Sequence, residues 1–375
     1  MIMKNENGIY DKEIEEYYCE DVGILEIKIG IGLVPLCDKA DKNDDFLELI
    51  AKTREEASEM TGIPIPKIRI RDSKELENYE YVILFREAEV GRWTFKKNHT
   101  LFIGTEESSS FEINSSWEKT KEPAFGVEAY FVPEEEVAGL EHQPGLISVS
   151  PSVVISTHLK EIILQHRNSF LNHYYVNRLI ENVRKTNPDL VSEVILNRKF
   201  SITDLKIILN RLISERVPIK DMNTILETVA DYLNDIDKPL ELAEKVRERL
   251  SLVNLQQYAT QKKVLHLIRI SQSTSETLAE NIYFPTAKVE IPYFILEPAD
   301  SKKIRNAIEK SIELMRGKGF IPIFLCVSSI RLGLASYLER YFPSAVAVSD
   351  MDIYALNNAL NIEIEGEVSL DEEKK

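Results

Sequence analysis

The chain has 375 residues, of which 43% are hydrophobic, and it carries a formal net charge of −16 at pH 7. This length accommodates two to four folded domains. The negative charge repels phosphate backbones and argues against nucleic acid as a partner. The three scattered cysteines exclude a disulfide framework or a zinc knuckle, and they fit a reducing cytosol.

No stretch approaches the roughly 20 apolar residues that span a bilayer, and the N-terminus lacks the apolar core of a signal peptide. The sequence therefore predicts a soluble chain. Residues 1–21 are polar and acidic around the aromatic pair Tyr17 and Tyr18, which is typical of an extended linker.

The segment that follows the linker predicts a first α/β domain. An alternating run from Gly23 predicts a strand, Phe46–Met60 predicts an amphipathic helix, and residues 67–71 and 79–93 predict three more strands. Residues 98–150 alternate short apolar runs with Ser-rich and Glu-rich loops, which predicts a small inserted α/β domain. A helix at residues 151–166 returns to the first core, so the first domain is discontinuous and comprises residues 22–97 and 151–170.

The stretch from Ser201 to Leu233 predicts a pair of amphipathic helices. Ser201 or Thr203 is placed to cap the first helix, Val217-Pro218 breaks it, and Asp221 is placed to cap the second. Apolar stripes on both helices cannot stay exposed, so the helices should fold back on each other and on a third element. We expect residues 171–250 to form a helical, winged-helix-like module.

Residues 251–367 predict a C-terminal β-α-β-α-β domain, followed by an acidic tail at residues 368–375. Its predicted strands are at 264–270, 322–327 and 345–348, with helices at 299–316 and 330–341. The fold class is thus an α+β multidomain protein.

Motifs for catalysis or for cofactors do not occur in the chain. His158, Glu161 and His166 share a helix but cannot converge on one metal ion, and local capping or packing is the better interpretation of His158. Gly30-x-Gly32 lacks the third glycine and the helix of a nucleotide site, and no nucleophile motif occurs. The sequence predicts no enzyme, no cofactor and no metal.

The helix pair also has a DNA-binding interpretation, which its charges oppose. Its second helix sets Lys220 against Asp221, Glu227 and Asp231, whereas a helix in a DNA groove needs basic residues. We therefore do not expect DNA binding.

Phe125 lies in a Lys-Glu-Pro-Ala-Phe-Gly segment at residues 121–126 and has two interpretations. It could be a half-exposed anchor for an apolar partner surface. The residues alone favour the other interpretation, in which Phe125 fills the core of the inserted domain.

The run from Lys206 to Asp231 resembles the cytosolic portion of the export-gate protein of flagellar and virulence type III secretion systems. Four more motifs match in the same order, and the resemblance covers roughly residues 22–365. They are the Gly-x-x-Pro-Leu end of the first strand, the acidic-Pro-Ala-Phe-Gly motif at 122–126, the Val-x-x-Thr-His-Leu run at 154–159 and the Ser-x-Met turn at 349–351. Full-length family members carry a large membrane half before this portion, so the resemblance implies an excised or shortened form.

The resemblance implies a docking platform at the cytoplasmic face of the bacterial inner membrane. Such a platform forms a ring, of nine subunits in the family, that receives chaperone–substrate complexes and passes substrates to the membrane channel. The implied partners are other copies of this chain, chaperone–substrate complexes and other export-apparatus proteins including the ATPase complex. Contact with the membrane is implied only through the missing N-terminal half.

The resemblance also implies functional residues. The family's chaperone–substrate site carries over to Glu122, Phe125 and Thr157, with glutamate here where many flagellar members have aspartate. For the ring interface we expect Tyr17 and Tyr18 of the linker together with Arg211, Arg216 and Glu227. The competing hypothesis is a non-enzymatic monomeric adaptor or regulator with a helix-turn-helix module.

Overall fold

The computed structural model describes residues 24–38, 46–104, 114–140, 145–196 and 200–370. The predicted linker, with Tyr17 and Tyr18, lies outside these residues. The chain divides into two compact units, and the division falls between Phe170 and Leu171. The described residues form several sheets and many helices in a multidomain arrangement, which confirms the α+β fold class.

The first unit begins with a four-stranded mixed sheet in the order β2-β1-β3-β4. Its elements are Leu25–Ile29 (β1), a 3-10 helix at Ile31–Cys37, Phe46–Thr61 (α1), Ile68–Asp72 (β2), Glu80–Phe85 (β3) and Ala88–Thr94 (β4). β1 pairs with β2 in parallel, and β3 runs antiparallel to β1 and β4. The parallel pair needs a crossover connection, which α1 provides.

Gly30 and Gly32 follow β1 at a close approach of two backbone segments. Their amides donate to the carbonyls of Glu80 and Asn78 at 2.8 and 2.7 Å. A Cβ atom on Gly30 would overlap the carbonyl of Glu77. Close backbone packing therefore accounts for the glycine pair without a phosphate-binding loop.

A second sheet in this unit is antiparallel throughout and has the order β6-β7-β5-β8. Its elements are His99–Gly104 (β5), Glu118–Lys121 (β6), Glu128–Pro133 (β7), a short helix at Glu134–Val137 (α2) and Leu146–Val149 (β8). One face buries Phe102, Tyr130 and Val132. On the opposite face Phe131 stacks on Trp93 of β4, with ring centroids 5.4 Å apart, so the two sheets pack through aromatic contact.

Helix Pro151–Gln165 (α3) follows β8 and packs against α1. Ser150 caps it by accepting the amide of Val153, and proline occupies the first helical position, where its missing N–H costs nothing. Lys160 pairs with Glu56 of α1 at 2.7 Å. A 3-10 turn at Arg167–Phe170 ends the unit.

The second unit opens with helices. They are His173–Thr186 (α4), Pro188–Val191 (α5), a π-helical turn at Ser192–Leu196, Ile202–Ser214 (α6), Met222–Tyr232 (α7), Pro239–Arg249 (α8) and Ser251–Gln256 (α9). Ser201 and Asp221 cap α6 and α7, as predicted. The apolar stripes of α6 and α7 pack mainly on α4 and α8, and not on each other as predicted. The third element predicted from the stripes is a pair of helices.

The end of α6 depends on more than Pro218. Arg216 adopts a left-handed backbone conformation with φ of 62°. The amide of Val217 then donates back to the carbonyl of Leu212 at 2.9 Å. This is a helix stop of the kind that usually employs glycine.

The rest of the unit is a four-stranded parallel sheet in the order β13-β12-β9-β14, with helices on both faces. Its elements are Val264–Ile270 (β9), Gln272–Glu280 (α10), Ile282–Tyr283 (β10), Tyr293–Phe294 (β11), Pro298–Gly317 (α11), Ile323–Cys326 (β12), Ser328–Tyr341 (α12), Val346–Ser349 (β13), Asp350–Ala355 (α13) and Asn361–Val368 (β14). β10 and β11 form a separate two-stranded hairpin.

The predicted β-α-β-α-β order lacked the last strand. β14 pairs with β9 along its whole length, and the amide of Leu370 donates to Thr274 at 2.9 Å. The described sheet domain therefore includes residues 368–370, which the sequence analysis assigned to the tail.

Candidate functional site

The loop between β6 and β7 is built around the carboxylate of Glu122. This side chain is only 5% exposed. Its two oxygens accept the amides of Ala124 at 2.8 Å, Phe125 at 2.6 Å and Val127 at 3.3 Å. Gly126 completes the turn with a φ of 70° and open space around its Cα. A carboxylate that accepts several backbone N–H groups fixes a loop strongly.

This loop turns Phe125 outward. The phenylalanine side chain is 64% exposed, and Val127 beside it is also exposed. The interpretation in which Phe125 fills the core of the inserted domain is therefore wrong. That core is already filled by Phe102, Tyr130, Val132 and Leu146. The hydrogen bonds that Glu122 accepts from the loop amides hold the backbone so that Phe125 points away from it.

In the same unit, β3 and α3 contribute a buried pair of polar side chains. The hydroxyl of Tyr81 lies 2.8 Å from Nδ1 of His158, and both residues are buried. Gly91 of β4 packs directly on this imidazole. His158 thus takes part in local packing and hydrogen bonding, as the sequence analysis expected.

The charge of Glu122 acts on this buried pair. Burial raises the pKa of the Tyr81 hydroxyl, and the negative charge of Glu122 raises it further. Burial lowers the pKa of His158, and Glu122 partly opposes that effect. The Phe125 loop and α3 therefore lie within electrostatic reach of each other. Thr157, the residue before His158 on α3, is half-buried.

The three described residues of the predicted ring interface lie in different environments. Arg216 and Glu227 are exposed, and Arg216 donates to the carbonyl of Pro343 at 2.9 Å. Arg211, in contrast, is 3% exposed and pairs with Glu215 at 2.6 Å and Glu339 at 3.1 Å. Arg211 is committed to partners within the unit, so its burial removes the basis for assigning it to an interface.

A network of buried charges in the second unit was missed by the sequence analysis. Arg331 of α12 is fully buried and binds Glu215, at the end of α6, and Glu244 of α8. Arg247 of α8 binds Glu244 and the buried Asp352 of α13. The network joins the helical module to the sheet domain.

One signal in the sequence indicated this network. Arg331 stands at a position of the apolar stripe that Leu334, Ala335 and Leu338 continue. A charged residue on a core-facing stripe must be paired when it is buried. The identity of its partners, more than 80 positions away in the sequence, could not be deduced from that position.

Within the described residues, no helix combines the length and the hydrophobicity that crossing a bilayer requires.

The multidomain fold agrees with the comparison to known proteins. The model of the FHIPEP family matches residues 3–357, and the chain belongs to this family. That membership confirms the resemblance to export-gate proteins that the helical pair indicated.

Two relatives are both named flagellar biosynthesis protein FlhA. The protein from Bacillus subtilis (strain 168) is 30% identical over 342 residues, which cover 91% of this chain and 48% of that protein. The protein from Treponema pallidum (strain Nichols) is 29% identical over 351 residues, or 93% of this chain and 48% of that protein. The chain therefore spans about half the length of the curated relatives that it matches.

Solved structures show the same architecture. The Chlamydia pneumoniae CdsV protein superposes with a TM-score of 0.80 at 25% identity, covering 93% of this chain and 99% of that one. CdsV has also been solved in a complex with CdsO, and that structure superposes with a TM-score of 0.76. The nonameric SctV-C of EPEC, at 20% identity and a TM-score of 0.72 over 93% of this chain and 99% of that one, shows the shared fold.

Proposed function

We propose that this chain is the docking platform of a type III protein export gate. It assembles as a ring, receives chaperone-bound export substrates and passes them to a membrane channel. Its place is the cytoplasmic face of the bacterial inner membrane, to which the preceding half of the full-length protein tethers it.

The observation that carries the proposal is the exposed Phe125 on a loop that Glu122 makes rigid. An aromatic side chain that needs no rearrangement before binding loses little conformational entropy when a partner covers it. Relatives support assembly and protein binding, because CdsV binds CdsO in a solved complex and SctV-C is a nonamer. The site acts by docking and not by catalysis.

Glu122 and Thr157 have different roles from Phe125 in this proposal. Glu122 is buried and its oxygens already accept loop amides, so it positions the loop. Thr157 lies on α3 next to His158, which the charge of Glu122 reaches, and in this proposal it supplies a hydroxyl at the margin of the docking site.

A binding measurement tests the docking step. The purified chain is titrated with a chaperone–substrate complex of the same export system in a calorimeter. Phe125→Ala should weaken binding at least about 30-fold, the effect of losing an aromatic anchor worth about 2 kcal/mol. Phe284→Ala removes a similarly exposed phenylalanine, 53% accessible, in the second unit and is the matched control. Equal affinity of the two variants would refute the docking role of Phe125.

Mass photometry across concentration tests the ring separately. Arg216 and Glu227 are the described residues that we propose for the interface, together with Tyr17 and Tyr18 of the linker. Because tethering raises the effective concentration, the free chain should assemble only at high concentration. A chain that stays monomeric even when anchored through a histidine tag on nickel-lipid vesicles would contradict ring formation.

The competing regulator hypothesis gains no support from the helix pair. The exposed positions of α7 include Asn223, Glu227 and Asp231. A helix with this outer face would repel phosphate groups and could not enter a DNA groove.

A further inference from the structure

The last strand of the sheet brings together three side chains that are distant in sequence. His266 of β9 stands opposite Glu363 of β14 in the parallel register. The register shifts between Ile364 and Gly366, so Glu365 is the additional residue of a β-bulge. Nδ1 of His266 and carboxylate oxygens of Glu363 and Glu365 all lie within 4.8 Å of one another.

The imidazole of His266 is held in a defined orientation. It stacks on Phe320 with ring centroids 3.7 Å apart and an interplanar angle of 8°. Its Nδ1 atom lies 2.6 Å from Oε1 of Glu365 and 3.6 Å from Oε2 of Glu363. The imidazole and the two carboxylates thus present donor atoms that converge on one point.

Lys318 contacts the other oxygen of Glu365. Its ammonium group lies 2.5 Å from Oε2, which leaves Oε1 directed toward His266. Lys318 thus orients this carboxylate in the manner of an outer-shell partner.

The donor set matches a divalent transition metal. One imidazole nitrogen and two carboxylate oxygens are ligands that Zn²⁺ accepts, with a fourth position left for water. Ligands about 2.1 Å from a tetrahedral ion lie about 3.4 Å apart. The separation of 3.6 Å between Nδ1 of His266 and Oε2 of Glu363 already fits. The Oε1 atom of Glu365 lies 2.6 Å from Nδ1, so it has to move away by roughly 1 Å to fit as well.

The local charge favours a cation over further anionic groups. Two carboxylates face one ammonium group, which leaves a net negative charge when the histidine is neutral, in a chain of net charge −16. The C-terminus of α11 precedes Lys318 directly, and its negative dipole end also favours positive charge. The Glu363 side chain is 59% exposed, which gives an ion a path to the site.

We propose that His266, Glu363 and Glu365 form a binding site for a divalent transition-metal ion, with Zn²⁺ as the best-fitting ion. The ion clamps β14, the edge strand of the sheet, to β9. This site is in the second unit and is independent of the docking function proposed for the Phe125 loop. A simpler arrangement, in which the same residues form ion pairs only, is the alternative.

Calorimetric titration of the EDTA-treated full chain with ZnCl₂ distinguishes the two. We expect saturable binding of one Zn²⁺ ion with wild-type residues. Glu363→Gln should weaken it about tenfold or more, and His266→Asn should abolish it. Glu363 is exposed, so its variant will fold. Glu367→Gln is the matched control, because Glu367 is an exposed glutamate four positions after Glu363 on the same strand.

Two further readouts use the same proteins. Bound Co²⁺ should show the visible absorption bands of a tetrahedral site in wild type and in Glu367→Gln, and these bands should be absent in His266→Asn. Zn²⁺ should also raise the thermal transition of the second unit, since a ligand of the folded state stabilises it. The absence of saturable Zn²⁺ binding to the wild-type chain would overturn the proposal, as would equal affinities for Glu363→Gln and Glu367→Gln.

Discussion

Replacing Arg331 by methionine tests the role of the buried charge network directly. The guanidinium group binds Glu215 and Glu244, and one of its contacts is the 2.9 Å bond from Nη2 to Oε1 of Glu215. Methionine retains much of the volume but leaves both carboxylates without this cation. Removal of one partner from a buried ion pair costs about 3–5 kcal/mol, because the remaining charge stays desolvated. That is a large fraction of the 5–15 kcal/mol that typically stabilises a domain.

The two tryptophans of the chain make the assay specific. Trp93 and Trp117 both lie in the first unit, so tryptophan fluorescence follows the unfolding of that unit alone. The second unit contains most of the helices, so far-UV circular dichroism follows mainly its unfolding. In urea, Arg331→Met should lower the free energy of unfolding obtained from circular dichroism by about 3–5 kcal/mol. The free energy obtained from fluorescence should stay unchanged.

Arg340→Met on the same helix is the control, since Arg340 is exposed and its replacement should cost less than about 0.5 kcal/mol. A cost for Arg331→Met that does not exceed the cost for Arg340→Met would refute the reasoning. A fluorescence transition that moves by the same amount as the circular dichroism transition would refute the assignment of the network to the second unit.

The cost of Arg331→Met should also depend on pH. Burial by itself would raise the pKa of Glu215, but Arg211 and Arg331 outweigh it and hold the pKa well below its usual range. In the wild-type chain this contribution is present above the ordinary pKa of a glutamate, about 4.3, and is lost as the pH falls further. Without Arg331, Glu215 takes up a proton more readily in the folded state. The difference in the free energy of unfolding between variant and wild type should therefore shrink as the pH drops from 7 to about 4.

Three further predictions use the same methods or hydrogen exchange. Glu122→Ala should speed exchange of the three loop amides that its carboxylate accepts, measured by mass spectrometry, whereas the exposed Glu128→Ala should not; unchanged exchange would contradict the loop-positioning role. Gly91→Ala should lower the free energy of unfolding obtained from fluorescence by about 1–3 kcal/mol, because its Cβ would meet side chains of α3 at 2.6 and 2.8 Å. Gly139→Ala is the control and should be neutral, because the nearest neighbour of its Cβ would be 3.7 Å away. The free energy of unfolding of the second unit, measured by urea titration monitored by circular dichroism, should fall as the pH drops below about 4, since guanidinium groups outweigh burial and hold the pKa of Asp352 below its usual range; a constant value from pH 7 to about 3 would contradict this.

Several helices and strands could be predicted because local sequence patterns determine them. Periodicity, caps and breaks placed α1, α3, α6, α7, α11 and α12 and most of the strands, since these features act within one or two turns of the chain. β14 was missed because its alternating Ile and Glu residues precede an acidic terminus and resemble a solvated tail. α10 was missed because it is short and mostly polar, so its apolar stripe is weak.

The candidate site was predicted in part. The sequence offered Glu122 and Phe125 as a motif, but it favoured a buried phenylalanine. The outcome depended on which direction the loop took, and that follows from the amides that Glu122 accepts together with the positive φ of Gly126. A sequence motif identifies residues that act together but does not show which of them is buried.

The sequence by itself determined the α+β class, the order of most elements, the helix pair with its caps and the resemblance to an export-gate family. Only the tertiary structure decided that Phe125 is exposed, that Arg211 is buried, and that His266 meets residues 363 and 365. The physical reason is that caps and amphipathic stripes are short-range properties of the chain. Burial and charge pairing instead depend on which distant segments meet, and the contact of His266 with Glu365 joins positions 99 apart.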